Sequence, residues 1–188
     1  MGDVTLPRRL NLGCGRDRHE GYLNVDSVAT VRPDLEWNLD HFPYPLPSDH
    51  FEEILALDVV EHLENLVGFV EECWRILQPG GTIRITTPHY SSANSFRDPT
   101  HRHHLGLFSF DYFTVDHALG HYSAARYTIV RRRLVFPPTR WNRLVAFVAR
   151  RNYRAYEDRW SWIFPAWFLE VELRAEKMSA HPDAAPPT

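Results

Sequence analysis

Apolar positions come in short runs through the first half of the chain and in longer periodic patterns after it. Arg9-Leu10-Asn11-Leu12 reads as a strand that opens into Gly13-Cys14-Gly15, and Tyr22 to Asp26 reads as a second strand ending on a carboxylate. Leu35 to Leu39 is a third candidate, ahead of a proline-rich turn from Phe42 to Pro47. Glu53 to Leu57 has the continuous apolar character of a buried strand. From Glu64 to Leu77 the apolar residues Leu66, Val67, Val70, Trp74 and Leu77 recur at helical spacing. Pro79-Gly80-Gly81 stops that helix, and Thr82 to Thr86 is the next strand. Ser109 is the predicted N-cap of a helix through Phe113 to Leu119. Tyr127 to Phe136 predicts a strand, Trp141 to Arg151 an amphipathic helix, and the alternation over Phe168 to Leu173 a last strand with one wet face.

Strands alternating with helices and turns imply an α/β domain with a mostly parallel sheet and a ligand at the carboxyl ends of its strands. About ten residues separate Gly15 from Asp26, so the first helices must be truncated. The length suits one domain, expected over residues 1–178, with a Pro/Ala-rich disordered tail over 179–188. No apolar run approaches the ~18 residues that span a bilayer, and the start lacks the apolar stretch of a signal peptide. A cytoplasmic protein is therefore expected. Two cysteines, Cys14 and Cys73, exclude a disulfide framework.

A net charge of −3 hides an asymmetry. Residues 1–116 carry nine arginines against eighteen acids, whereas residues 117–156 carry nine arginines and no acid. The stretch is either a solvated face or a basic wall toward an anionic substrate, a nucleic acid or a lipid surface. The acidic balance of the whole chain and the lack of an aromatic RNA-binding motif make nucleic acid the lesser expectation. Trp141, Trp160, Trp162 and Trp167 lie in or near this stretch and are assigned to packing, with stacking on a substrate or a lipid interface as the alternative.

The glycine turn points to a ligand. Without side chains, Gly13 and Gly15 let the backbone lie against one. The third glycine of a dinucleotide fingerprint is missing, since Arg18 stands there, so a ligand without phosphates fits better. Asp26 can accept hydrogen bonds from both ribose hydroxyls, and Asn38-Leu39-Asp40 can take an adenine amino proton. Residues 10–15, 21–26, 61–63 and 77–83, with Asp98 to His101 and Ser109 to Phe113, resemble the class I S-adenosylmethionine-dependent methyltransferases, in particular small, methyltransferase type 11-like members. The resemblance implies a Rossmann-like seven-stranded sheet with an antiparallel last strand, S-adenosylmethionine as cofactor and S-adenosylhomocysteine as product. It also implies a cofactor site of Asn11, Gly13, Cys14, Gly15, Asp26, Ser27, Leu39, Asp40, Leu57, Asp58 and His62. The family usually has an acid where this chain has Asn11, so Arg16 or Arg18 is expected to pair with the methionyl carboxylate.

Methyl transfer to a hydroxyl or ammonium needs a base, and eleven histidines are many for this length. His101, His103 and His89 are the candidate bases, His101 foremost, with Tyr90, Asp98 and His104 on the substrate side. Phe96, Phe108, Tyr112 and Phe113 read as core, with the lining of an acceptor pocket as the alternative. Asp58, Glu61 and His62, completed by His104 or His103, are similar in spacing to the E-x-x-E-H of metal-dependent ubiquinone and small-RNA methyltransferases, so a divalent metal is one reading. The other is a Glu-His pair that steadies the helix start and the cofactor pocket. The expected activity is methyl transfer to a small-molecule acceptor of possible anionic character, oxygen ahead of nitrogen. Alternatives are a nucleic-acid methyltransferase or binder using residues 126–154, and an S-adenosylmethionine-binding protein with a different reaction. Nothing in the sequence specifies an oligomeric state.

Overall fold

In the computed structural model, which describes residues 6–117 and 122–177, seven strands form one sheet. They are β1 (Arg9–Leu12), β2 (Leu23–Asp26), β3 (Leu35–Glu36), β4 (Phe51–Leu57), β5 (Leu77–Pro88), β6 (Tyr127–Val135) and β7 (Phe168–Ala175). Their order is β3-β2-β1-β4-β5-β7-β6. The first five run parallel, and β7 runs antiparallel to both β5 and β6. The central register stacks apolar residues across three strands, with Ile54 beside Ile83 and Ile83 beside Leu173. All three are fully buried, as a sheet covered on both faces requires.

Helix α1 (Leu66–Ile76) buries Phe69, Val70, Cys73 and Ile76 and is capped by Asn65, whose side chain accepts from the Gly68 N–H. Buried Glu72 accepts from the Tyr44 N–H at 2.6 Å and from Arg75, while Arg75 also donates to the Tyr44 and Leu46 carbonyls. That charge pair fastens the proline-rich turn to the helix. α2 (Asn94–Arg97) is a single turn after β5, and α3 (Arg140–Ala149) and α4 (Tyr153–Arg159) connect β6 to β7. Among the described residues, no helix is long and apolar enough to cross a membrane.

Several expectations need correction. The third strand stops at Glu36, because Asn38 forms a local turn in which its side chain accepts from the Asp40 N–H. The helix expected from Ser109 is a 3₁₀ turn closed at Thr114, and the Ser109 hydroxyl accepts from Gly106 rather than capping a helix. Leu119 and the 179–188 tail lie outside the described residues. α4 was not foreseen; Asn152 caps it by accepting from the Ala155 N–H. The four tryptophans expected to pack stay outside the core. Trp141 and Trp162 are 78% and 69% exposed, and Trp160 and Trp167 are also exposed.

Parallel neighbours β1 and β2 are joined by residues 13–22 without a helix, a very short crossover for such strands. Polar side chains replace the helix. Asn24 Oδ1 accepts from the His19 N–H at 2.9 Å and from Asn11 Nδ2 at 3.1 Å. Its Nδ2 lies within reach of the His19 and Tyr22 carbonyls and of Asp34 Oδ2. Asn11 Nδ2 also donates to the Asp17 carbonyl at 2.9 Å, and Arg18 pairs with Asp34. Burial pushes the Asp34 carboxyl up, but the hydrogen bonds from Asn24 and the Arg18 guanidinium outweigh it and hold the group below its ordinary value.

Replacing Asn24 with Leu leaves these backbone groups unpaired and should cost about 2–4 kcal/mol in urea unfolding. Asp34, with its lowered folded pKa, contributes stability that is present above about pH 4 and lost as the pH falls through the folded value. The stability gap between the native chain and Asp34→Asn, measured by thermal melts, should therefore be larger at pH 7 than at pH 3.

Candidate functional site

The carboxyl ends of β1, β2 and β4, together with the turn after β3, enclose a cleft of about 290 Å³. Gly13, Asp26, Ser27, Asn38, Leu39, Asp40, Asp58, Val59, His62 and Leu63 line it. Gly13 has φ +65°, and a Cβ there would lie 2.3 Å from Val59 Cγ2, so both backbone and space demand glycine. Gly15 donates its N–H to Asp26 Oδ2 at 2.8 Å, and a Cβ at Gly15 would meet nothing within 4 Å. Asp26 Oδ1 accepts from the Val28 N–H at 2.9 Å. Each carboxylate oxygen keeps a further acceptor site, so two more donors can be received. Asp40 Oδ1 takes the Glu64 and Asn65 N–H groups, which ties the β3–β4 connection to the start of α1. Asp58, just past β4, is held at φ +56°, an uncommon conformation for a residue with a side chain, and its Oδ1 accepts from the Thr86 hydroxyl at 3.0 Å.

A second cleft of about 500 Å³ adjoins the first and shares Asp58 and His62 with it. Glu61, Arg97, Asp98, His101 and Phe168 are among its other walls. The loop after β5 is clamped there: the Arg102 and His103 N–H groups donate to the Glu61 carbonyl at 2.7 and 3.2 Å. The rings of His62 and His101 lie 4.7 Å apart, and one ligand atom from each of Glu61, His62 and His101 falls within 4.8 Å of the others.

Hydrogen bonds fix both tautomers. The Thr100 hydroxyl gives its proton to Asp98 at 2.6 Å, so at 2.8 Å it must accept from His62 Nδ1–H. His101 Nδ1 faces the Ser95 carbonyl at 3.2 Å, which can only accept. Nε2 is then the nitrogen with a free lone pair on each neutral ring. Burial, and then proximity to His101, lower the His62 pKa, which favours its neutral form. Burial raises the carboxyl of Glu61, and its Oε2, like Thr87 Oγ1, is buried without a hydrogen-bond partner.

Of the expected cofactor residues, the first cleft collects Gly13, Asp26, Ser27, Leu39, Asp40, Asp58 and His62, with Gly15 at its edge. Asn11 is turned away, its amide spent on the crossover loop. Cys14 is buried and Leu57 lines neither cleft. Arg18 is taken by Asp34, which leaves Arg16 exposed beside the glycine turn.

Among the expected bases, His89 is fully buried, with Nε2 on Glu157 at 2.9 Å and Nδ1 on Ser91 at 2.8 Å, so it is a structural anchor. Tyr90 likewise bonds the Glu157 carbonyl and Ser161. His103 Nε2 is buried and lines neither cleft. His104 leaves the expected metal group for Ser95 Oγ and the face of Phe96, and His101 takes its place. Asp98 does line the second cleft. Phe113 is core as expected, whereas Phe96 is exposed. Val59, Leu63, Asn94, Arg97 and Phe168 were missed; nothing local in the sequence marks Phe168, which arrives from the antiparallel strand β7.

The family profile of a methyltransferase domain matches residues 10–85. A protein of Mycolicibacterium smegmatis named as a probable S-adenosylmethionine-dependent methyltransferase is 37% identical over 54 residues, 29% of this chain and 21% of that protein. The mitochondrial ubiquinone biosynthesis O-methyltransferase of Rattus norvegicus is 46% identical over 40 residues, 21% of this chain and 12% of that enzyme. The matches thus span about a fifth or less of these relatives' own length. The crystal structure of a SAM-dependent methyltransferase from Archaeoglobus fulgidus shares the fold, with TM-score 0.64 and 16% identity over 90% of this chain and 86% of that one. In sheet order, in the profile match and in these relatives, the chain is similar to the class I S-adenosylmethionine-dependent methyltransferases.

Proposed function

We propose that the chain moves a methyl group from S-adenosylmethionine to an oxygen of a small-molecule acceptor, with His101 withdrawing the acceptor's proton. The observation that carries this reading is the joint between the two clefts: Asp58 and His62 belong to both, so a nucleoside cleft opens directly onto a cluster of proton acceptors. The first cleft suits the cofactor. Asp26 has acceptor sites left for the two ribose hydroxyls, Leu39, Val59 and Leu63 offer apolar walls for the base, and Asp40 Oδ2 is left for its amino group. Bound there, the cofactor supplies an electrophilic methyl on a sulfonium that leaves as a neutral thioether.

The remaining work is alignment and proton removal. His101 Nε2 has the lone pair for it, and buried Glu61 is placed beside the imidazolium that results. Such a base favours a hydroxyl acceptor, in keeping with the O-methyltransferase among the relatives. Arg97 on the wall of the second cleft fits an acceptor with anionic character. The nucleic-acid alternative is weaker, because Arg132, Arg133 and Arg154 of the basic stretch are paired with Asp111 and Glu170.

A second reading concerns a divalent cation at the same cluster. Glu61, His62 and His101 fit one, since the carboxylate has an unpartnered buried oxygen and both rings keep a free Nε2. One carboxylate with two imidazoles suits Zn²⁺, Mn²⁺ or Fe²⁺ better than Mg²⁺. There it would act as a Lewis acid and lower the pKa of the acceptor hydroxyl.

Asp26→Ala should weaken S-adenosylmethionine binding at least tenfold by calorimetry, about 1.4 kcal/mol. His101→Gln should lower kcat roughly 10²–10³-fold in an S-adenosylhomocysteine-release assay while leaving cofactor affinity unchanged. An equal loss of affinity would move His101 out of the chemical step. No release against any hydroxylated acceptor, with cofactor still bound, would point to a different reaction. After dialysis against Zn²⁺ or Mn²⁺, the cation reading expects about one ion per chain by elemental analysis, lost in Glu61→Gln; no uptake leaves His101 acting without a metal.

A further inference from the structure

Nine of the sixteen exposed large apolar side chains among the described residues fall between Trp141 and Trp167. On α3, Trp141, Leu144 and Val148 recur at i, i+3 and i+7, the spacing of a face that a globular protein normally buries. Here that face borders an open, largely apolar groove of about 520 Å³, whose far wall includes Tyr156, Trp160 and Phe164. Clustered exposed apolar side chains with a polar rim are the pattern of an interaction site.

Its rim is cationic. Arg140, Arg143, Arg150 and Arg151 are exposed, and among the described residues none is paired with an acid. Arg151 instead lies over the Phe147 ring at 4.2 Å. Of the two acids that follow, Glu157 is turned inward to His89 and only Asp158 is exposed. The indoles separate in the same way. Trp37 and Trp74 donate their N–H groups to backbone carbonyls, whereas the four exposed tryptophans make no such bond among the described residues. An indole at a lipid headgroup layer keeps its N–H on lipid or water oxygens while its ring leaves water.

We propose that the α3–α4 face and the 160–167 loop dock on the surface of an anionic lipid bilayer. Tryptophans and apolar side chains enter the interface, and the four free arginines meet lipid phosphates. A two-fold contact between copies would set the same arginines against one another, which disfavours a second copy of the chain as the occupant. The docking face is continuous with the second cleft. Tyr90 packs against Trp162 with ring centroids 5.4 Å apart, the Trp167 carbonyl accepts from the His89 N–H at 3.0 Å, and Phe168 is a wall of the cleft itself. On the function proposed above, the acceptor is then an amphiphile whose reactive hydroxyl sits at headgroup level; the docking itself does not rest on that reading.

Flotation of the full chain with vesicles, without cofactor or acceptor, separates the two claims. With phosphatidylcholine vesicles containing a minority of phosphatidylglycerol, the chain should float with the lipid and its tryptophan emission should shift to shorter wavelength. Pure phosphatidylcholine should retain at least tenfold less. Trp141→Ala/Trp162→Ala removes only exposed side chains and should lower binding tenfold or more, as should Arg143→Gln/Arg150→Gln, with S-adenosylmethionine affinity and melting temperature unchanged. No flotation with anionic vesicles overturns the proposal. So does binding that ignores both double variants, or a dimer in sedimentation velocity that Trp141→Ala/Trp162→Ala dissociates.

Discussion

The bonds that Asn24 makes across the first crossover carry the rest of the site. Parallel strands with only residues 13–22 between them leave no room for the helix that would ordinarily hold a glycine turn in place. The Asn24 side chain instead takes in the His19, Tyr22, Asp34 and Asn11 groups, and the turn is left in one conformation. Within this braced connection the Gly15 N–H meets Asp26, and the cleft opens beside Gly13. The Asn24 amide is itself satisfied from several sides, the condition under which a buried polar group specifies one geometry rather than weakening the fold.

From that fixed edge the site is built by three further anchors. Asp40 binds the turn after β3 to the start of α1, Asp58 accepts from Thr86 across β4 and β5, and the Glu61 carbonyl receives the loop that carries His101. Each anchor uses a group that faces the cleft or adjoins one that does. The same residues therefore brace the cavity and line it, and the strain at Asp58 falls where the two clefts meet.

Much of this was legible in the chain. Apolar runs of strand length and helical spacing give β1, β4, α1 and the core of β5, because their pattern is local and period-specific; Pro79-Gly80-Gly81, read as a break, lies inside β5, which starts at Leu77. Asp26 and Gly13 could be placed because strand ends in a parallel sheet converge on one edge, whereas Asp58 was implied by the family resemblance. What escaped depends on long-range partners. Asn11 looks like a ligand residue until Asn24 folds against it, and His89 looks like a base until Glu157, 68 residues away, closes on its ring. The choice of His101 over His104 turns on Ser95, whose carbonyl and hydroxyl face one ring each. The tryptophans were misread because hydrophobic character alone does not say which side of a helix the core will cover.

On this reading, three strand ends beside the braced turn grip one nucleoside thioether or sulfonium. Hydrogen–deuterium exchange with and without S-adenosylhomocysteine tests it most directly, since it reads every backbone segment of the cleft at once. Bound ligand should slow exchange over residues 13–28, 38–40 and 58–63 and leave the sheet interior unchanged. Saturating ligand that slows none of these three segments would contradict this reading.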